Sequence, residues 1–138
     1  RVFVYSSGHV QRNIANELMR LFVYGDKYII SIKGRDEMRN VVAKAKPDDL
    51  FIIISLSGET ASVVEYAQQL HTHQIPVISM TRLRSNSLSR LATESLYVTI
   101  CKMPCANRDG EDYESMLGFF LLVEIWFLSY SQFLSEQE

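Results

Sequence analysis

The chain has 138 residues, of which 47% are hydrophobic and 22% are charged, and its formal net charge is −2. These values are typical of one soluble globular domain that buries about two-thirds of its unfolded surface in a single core. The small negative charge excludes a broad electrostatic footprint for nucleic acid, so we do not expect this chain alone to bind DNA.

Segments typical of strands and helices alternate along the chain. In order, a strand at 2–5 precedes a helix around 14–22, a strand at 28–32 precedes a helix at 35–45, and a strand at 50–55 precedes a helix around 63–70. A fourth strand at 76–81, a short helix at 88–92 that Ser87 caps, and a fifth strand at 96–100 follow. Strands separated by helices of this length indicate βαβ units, which predicts one α/β domain with a parallel sheet.

The segment 115–134 is apolar around most of its circumference, with Glu124 near its middle. Its length would allow a membrane span. A charge at the centre of a span is costly, and no Lys or Arg flanks this segment. We therefore predict no membrane contact but a helix buried against the sheet and against a second subunit, in a homodimer or a higher homo-oligomer.

The cysteine content and the first residues indicate the compartment. Cys101 and Cys105 match neither a zinc-binding pattern nor a C-x-x-C redox motif, so we expect reduced thiols in a cytoplasmic protein, with no metal and no other cofactor. The opening "RVFVYSSG" has no charged leader or apolar core of a signal peptide. It also lacks an initiator methionine, so we expect the chain to be part of a longer protein.

Two loops rich in small hydroxyl residues follow the first and third strands. They are "YSSGHV" (5–10), the first loop, and "SLSGETAS" (55–62), the serine loop. If the strand order is 2-1-3-4-5, both loops lie at the crevice where the order reverses. Ligands of doubly wound sheets bind at that crevice.

The serine loop has the residues of an anion cradle. Ser55, Ser57 and Thr60 offer hydroxyl donors, and Gly58 allows a tight turn. The amides of 58–60 would open the next helix, where free N–H groups and the helix dipole favour a phosphate. No lysine follows the glycine, so we expect a phosphomonoester rather than a nucleoside triphosphate with Mg²⁺. An ordinary helix cap with a turn is the alternative.

The stretch "DDLFIIISLSGET" (48–60) resembles the S-x-S-G-E-T signature of the SIS (sugar isomerase) domain, and "PVISMT" and "SNSLSRLA" resemble the next strand and short helix of that family. The resemblance covers nearly all of residues 1–138. It implies a three-layer α/β/α sandwich with five parallel strands in the flavodoxin-like order 2-1-3-4-5, which binds phosphosugars. It also implies that Ser55, Ser57 and Thr60 hold the phosphate, while Gly58 and Glu59 shape the loop.

The first loop departs from the G-x-G-x-S pattern of this family, because Ser6 and Val10 occupy the positions of the first glycine and the serine. We expect Ser7, Gly8 and His9 to form this side of the phosphosugar site, with Ser7 or His9 replacing the missing serine. For His9, an ordinary surface histidine is the alternative.

Four further cationic or titratable side chains lie near predicted element ends. Arg82 and Arg84 follow the fourth strand, where they either reach a phosphate or an acidic sugar or remain solvated. His71 and His73 lie near a helix end, where we expect them to interact with the helix dipole rather than with a metal.

An aldose–ketose isomerase needs a base that moves a proton between adjacent carbons. Glu59 is a conceivable base, but His9 is isolated and Glu124 lies in the last helix, so the sequence shows no complete catalytic set. The chain also resembles the effector domain of RpiR-type bacterial transcription regulators, which carry an N-terminal helix-turn-helix domain. We predict a sugar-phosphate sensor without catalytic residues, whose DNA contact needs a segment absent from this chain. A stand-alone sugar-phosphate isomerase is the alternative.

Overall fold

Five parallel strands form the main sheet of the computed structural model, which describes residues 1–106 and 109–138. The strands are β1 (Val2–Ser6), β2 (Ile29–Ile32), β3 (Leu50–Ile54), β4 (Val77–Arg82) and β5 (Glu94–Val98). Their order is β2-β1-β3-β4-β5, and each neighbouring pair is parallel. The order expected from the sequence is confirmed.

Five helices cover the two faces of this sheet. They are α1 (His9–Val23), α2 (Arg35–Ala43), α3 (Ala61–Thr72), α4 (Ser87–Leu91) and α5 (Leu117–Glu136). Side chains of α1 and α5 form one apolar core with one face of the sheet, and side chains of α2, α3 and α4 form a second core with the other face. The three-layer α/β/α sandwich is therefore confirmed.

The strand β3 is buried on both faces because its apolar side chains alternate between the two cores. Ile52 and Ile54 belong to the core under α1, whereas Phe51 and Ile53 belong to the core under α3. All four are at most 2% exposed. Full burial of each such side chain contributes about 1.5–3 kcal/mol, so β3 is a firm platform for the loop that follows it.

The last helix packs along α1 and exposes its other face. Phe119 and Val123 are fully buried, and the ring of Phe22 lies 5.5 Å from that of Trp126 and 5.3 Å from that of Tyr130. Among the described residues, α5 is the only helix that is long and apolar enough to cross a membrane, by length and composition alone. The exposed face carries large apolar side chains: Leu117, Leu121, Ile125, Leu128 and Phe133. We call these five residues the α5 stripe.

The region after β4 differs most from the sequence-based expectation. The fifth strand lies at 94–98 instead of 96–100, and α5 begins at Leu117 instead of 115. A small antiparallel hairpin, β6 (Lys102–Pro104) with β7 (Asp112–Glu114), was not predicted. An ion pair of 3.0 Å between Arg82 and Glu114 connects it to the end of β4.

The amino ends of β1 and β3 are joined by a buried carboxylate. Asp49 is 2% exposed and accepts hydrogen bonds from Nε and Nη2 of Arg1, both of 3.1 Å, and from the amide of Lys46 at 2.9 Å. The hydrogen bond from Arg1 is the largest cause that lowers the pKa of Asp49 from 3.8 to about 2. The carboxylate therefore stabilises the folded state only while it is ionised.

We predict that Asp49→Asn lowers the free energy of unfolding at pH 7 by about 1–2 kcal/mol. This value is in the low part of the range for charged hydrogen bonds, because the side chain of Arg1 is half-exposed. Since the pKa is lower in the folded state than the unfolded value of 3.8, the contribution is present above about pH 4 and is lost as the pH falls towards 2. Urea titrations at pH 7 and pH 3 measure both effects. The exposed neighbour is the control: Asp48→Asn should change neither value.

Candidate functional site

The first loop and the serine loop meet at the carboxyl ends of β1 and β3. Ser6 pairs with Ile54 in the sheet, and the amide of Ser7 donates a 3.1 Å hydrogen bond to the carbonyl of Ile54. From this point α1 begins on one face of the sheet and α3 on the other. The two loops therefore border the crevice that the doubly wound order predicts.

Hydrogen bonds within the serine loop fix its shape. Ser55 Oγ accepts a 3.1 Å bond from the amide of Gly58, and Ser57 Oγ accepts a 3.1 Å bond from the amide of Glu59. These two amides are thus already bonded, which corrects the expectation of open amides at 58–60 for the first two of the three positions. Serine side chains often bind nearby backbone amides in this way. The hydroxyl of Ser57, which is exposed, remains able to donate outwards, whereas Ser55 is only 1% exposed.

The start of α3 supplies the unbonded donors of this loop. Thr60 is the N-cap residue, and its side chain makes no capping hydrogen bond. The amide of Val64 bonds the carbonyl of Thr60, so the amides of 61–63 have no acceptor within the helix. These amides, the helix dipole and the Thr60 hydroxyl together form an anion-binding helix start, a few residues later than the sequence suggested.

Gly58 is required by its conformation and by its neighbour. Its φ is +69°, and a Cβ atom at this position would collide with the side chain of Asn86. That side chain accepts a 2.8 Å bond from the amide of Ser89 and donates a 2.9 Å bond to Thr81 Oγ1. Asn86, and not Ser87 as expected from the sequence, is therefore the residue that caps α4. The carbonyl of Gly58 also accepts a 3.1 Å bond from the amide of Leu88. The serine loop is therefore joined to the β4–α4 connection.

Glu59 strengthens the same junction. One carboxylate oxygen accepts a 2.7 Å bond from the amide of Ser87, and the other accepts a 2.7 Å bond from the Ser87 hydroxyl. These bonds, the hydroxyl first, lower the pKa of Glu59, and Arg90 adds a smaller electrostatic contribution in the same direction. A carboxylate that is occupied and harder to protonate is a poor general base. Its arrangement is that of a residue that shapes the loop.

The predicted residues of the first loop lie at the start of α1. Gly8 is the N-cap residue, with φ of +106°, and His9 is the first, exposed residue of the helix. The side chains of Ser7 and His9 make no hydrogen bond to any residue within 1–106 or 109–138. The structure thus brings Ser7, Gly8 and His9 to the crevice, opposite the serine loop.

Several other sequence-based expectations concern charged side chains. The guanidinium of Arg82 forms a 3.0 Å ion pair with Glu114, and the side chain is 23% exposed, so it is only partly solvated. His73 lies at the carboxyl end of α3, where its Nδ1 is 2.8 Å from the carbonyl of Gln69. The described part of the chain contains no group of three or more His, Cys, Asp or Glu residues that could hold a metal ion.

Sequence reasoning missed a hollow of about 620 Å³ between the first turns of α2 and α3. Arg35, Ser62 and Tyr66 are among its lining residues, and the Tyr66 hydroxyl donates a 3.0 Å bond to the carbonyl of Arg35. The hollow adjoins the serine loop through Ala61. In the sequence, only Gly34, between the second strand and its helix, indicated a loop at this place. The hollow itself depends on how closely α2 and α3 pack on the same face of the sheet.

Comparison with known proteins identifies the family of this fold and these loops. Residues 1–103 match the family model described as the SIS domain. The chain belongs to the SIS domain family. It is 38% identical over 130 residues to the HTH-type transcriptional regulator GlvR of Bacillus subtilis, a match that covers 94% of this chain and 50% of that protein. The chain therefore spans half of this curated relative.

Solved structures of other SIS proteins share the fold. The Vibrio vulnificus NanR protein complexed with ManNAc-6P superposes with a TM-score of 0.80 at 23% identity, covering 98% of this chain and 50% of that one. The sugar isomerase domain of the RpiR transcription factor from Sphaerobacter thermophilus has a TM-score of 0.77 at 16% identity, covering 93% of this chain and 68% of that one. The resemblance stated from the sequence is confirmed.

We predict that Ser55→Ala and Ser57→Ala differ in their effect on the ligand-free domain. Ser55 is 1% exposed, so its loss leaves the buried amide of Gly58 unpaired and should lower the free energy of unfolding by about 1–3 kcal/mol. Ser57 is exposed, and its variant should change that free energy by less than about 0.5 kcal/mol. Urea unfolding of both variants checks this. Equal effects would contradict a structural role specific to Ser55.

Proposed function

We propose that this chain is the phosphosugar-binding effector domain of a bacterial RpiR-type transcriptional regulator, and that it senses a sugar phosphate in the cytoplasm. The observation that carries the proposal is the serine loop at the start of α3, which faces the crevice of an SIS fold with free hydroxyl and amide donors. The 38% identity to GlvR supports a regulator. DNA would be bound by a segment outside this chain.

The donors of the site suit a phosphate ester. Ser57 and Thr60 present hydroxyl groups, the amides of 61–63 point out of the helix start, and Ser55 holds the turn between them. Ser7, Gly8 and His9 form the opposite wall, and Gly58 and Glu59 keep the loop in place. The presence of ManNAc-6P in the NanR structure supports a phosphorylated sugar as ligand.

The same contacts favour sensing over catalysis. Glu59, the base that the sequence offered, uses both carboxylate oxygens to bind Ser87. Proton transfer between two carbons needs a base within hydrogen-bond reach of the substrate and with a pKa near the working pH. The bonds from Ser87 move the pKa of Glu59 away from that range. We therefore assign Glu59 a positioning role and assign no catalytic residue.

A sensor must pass the ligand state to a partner, and we propose that the partner is a second copy of this chain bound through the α5 stripe. Those five side chains are between 51% and 73% exposed in the single chain. The helix α1 connects the two sites, because it begins at the first loop and its Phe22 packs on α5. A 100-fold difference in ligand affinity between two dimer arrangements would supply about 2.7 kcal/mol of coupling per site.

We predict that the domain binds a phosphorylated sugar and not its unphosphorylated parent. Ser57→Ala and Thr60→Val should each weaken phosphosugar binding by about 1.5–3 kcal/mol, because each removes a hydroxyl donor to a charged acceptor. Calorimetry with a panel of hexose, pentose and amino-sugar phosphates and with their unphosphorylated parents measures this. Glu65→Gln is the control, since Glu65 is exposed on α3 beyond the serine loop.

The same panel separates the sensor from the isomerase. Binding without conversion of any sugar phosphate is the expected result. Turnover by the wild-type domain would make the isomerase the better assignment. A Glu59→Gln variant cannot replace the turnover measurement. It also breaks the junction with Ser87, so it would weaken ligand binding in an enzyme and in a sensor alike.

We predict that the domain sediments as a dimer at micromolar concentration. The α5 stripe gives each copy an apolar surface that a two-fold partner can cover. Ile125→Lys, which places a charge in the middle of the stripe, should shift the equilibrium to a monomer of about 16 kDa. Gln68→Lys is the control, because it adds the same charge on the exposed face of α3, on the other side of the sheet from α5. A wild-type monomer at this concentration would contradict the proposed interface.

A further inference from the structure

Gln11 is buried at the crevice without a hydrogen bond from its side chain to any residue that the structure describes. The residue is 9% exposed and lies in the first turn of α1, three positions after the N-cap residue Gly8. Its carboxamide atoms are not completely buried, because the Ser79 hydroxyl oxygen is the only fully buried side-chain polar atom without a partner in the described part of the chain. The carboxamide is therefore an unpaired polar group that can reach a ligand at the crevice.

The carboxamide of Gln11 lies directly over Gly8. Its Cδ and Nε2 atoms are 3.2 Å and 3.6 Å from the position that a Cβ atom on Gly8 would occupy, and Oε1 is closer still. A Cβ atom on Gly8 would displace this flexible side chain, and the φ of +106° at Gly8 favours glycine in any case. Gln11 lies on the same buried face of α1 as Ile14 and Leu18, which pack against the sheet, so its side chain lies beside the carboxyl end of β1 where the crevice begins.

Helix capping accounts for the direction of this side chain but not for its burial. A glutamine three positions after the N-cap residue can reach back to the N-cap amide. In α2, Glu37 folds back over Gly34 in the same way, yet Glu37 is exposed to solvent. Gln11 is nine-tenths buried, and α1 has no side-chain capping hydrogen bond. The two helices start alike, but the side chain at the crevice is mostly buried and makes no hydrogen bond within the described residues.

We propose that Gln11 is a ligand-contact residue, whose carboxamide hydrogen-bonds a hydroxyl group on the sugar of the phosphosugar. This rests on the proposed function, in which the serine loop holds the phosphate. A carboxamide both donates and accepts hydrogen bonds, as a sugar hydroxyl does, whereas ionised phosphate oxygens only accept. A largely buried amide that has no partner within the protein can favour a sugar that carries the hydroxyl over one that lacks it.

The test uses Gln11→Met, which keeps the length and apolar volume of the side chain and removes both hydrogen-bonding groups. Hexose, pentose and amino-sugar phosphates and inorganic phosphate are titrated into wild type and variant, and the melting temperature is measured without ligand. The affinity for the tightest sugar phosphate should fall about tenfold or more. The affinity for inorganic phosphate should not change, and the melting temperature should equal or exceed that of wild type.

Gln68→Met on the exposed face of α3 is the matched control and should alter none of these values. Gln11→Ala, which has the higher helix propensity, repeats the measurement if the methionine variant does not fold. An equal loss of affinity for inorganic phosphate would overturn the assignment to a sugar hydroxyl. Unchanged sugar-phosphate affinity together with a lower melting temperature would show a helix cap only.

The outcomes also separate this inference from the proposed function. If wild type binds a sugar phosphate and Gln11→Met binds it equally well, the contact by Gln11 is wrong while the sensor remains. If wild type binds none of the sugar phosphates, the proposed function fails, and the inference that rests on it fails too.

Discussion

The parallel pairing of β1 with β3 is the interaction on which the site depends. It runs from Val2 opposite Leu50 to Ser6 opposite Ile54, and the amide of Ser7 extends it by one more hydrogen bond. Because the chain leaves β1 towards one face of the sheet and β3 towards the other, the two loops separate at this point and leave a crevice between the starts of α1 and α3. A shift in this register would move the serine loop away from the first loop, and neither loop alone encloses a ligand.

A glutamate in a loop proposed to hold a phosphate needs a physical reason, since two anions repel each other. The reason lies in the contacts of Glu59, whose carboxylate is turned to the start of α4 and bonded twice by Ser87. Its charge thereby serves the junction between two loops, which also includes the bond from Leu88 to Gly58. The serine loop is held in one shape before ligand binds, which lowers the ordering cost of binding.

Local sequence patterns predicted the fold where burial and chain direction decide the structure. The apolar run of β3 and the two hydroxyl-rich loops follow from the sequence, because a strand buried on both faces has no polar positions until it ends. The β6–β7 hairpin did not follow, since its position involves the ion pair of Arg82 with Glu114, 32 residues apart. The same holds for Gln11: its residue type fits any helix start, and its burial against Gly8 is visible only in three dimensions.

The two walls of the crevice differ in a way that bears on signalling. The serine loop is tied to β4 and α4 by side-chain and backbone bonds, whereas the described contacts of Ser7, His9 and Gln11 include no side-chain hydrogen bond. A ligand can shift a conformational equilibrium only through contacts that differ between the two states. Such differences are available at the first loop, because its side chains make no hydrogen bond within the described parts of the chain and can bond a ligand instead. The first loop opens α1, and α1 packs through Phe22 on the aromatic side chains of α5. The helix α1 therefore connects Gln11, through continuous packing, with the helix α5 that carries the surface proposed to bind the second subunit.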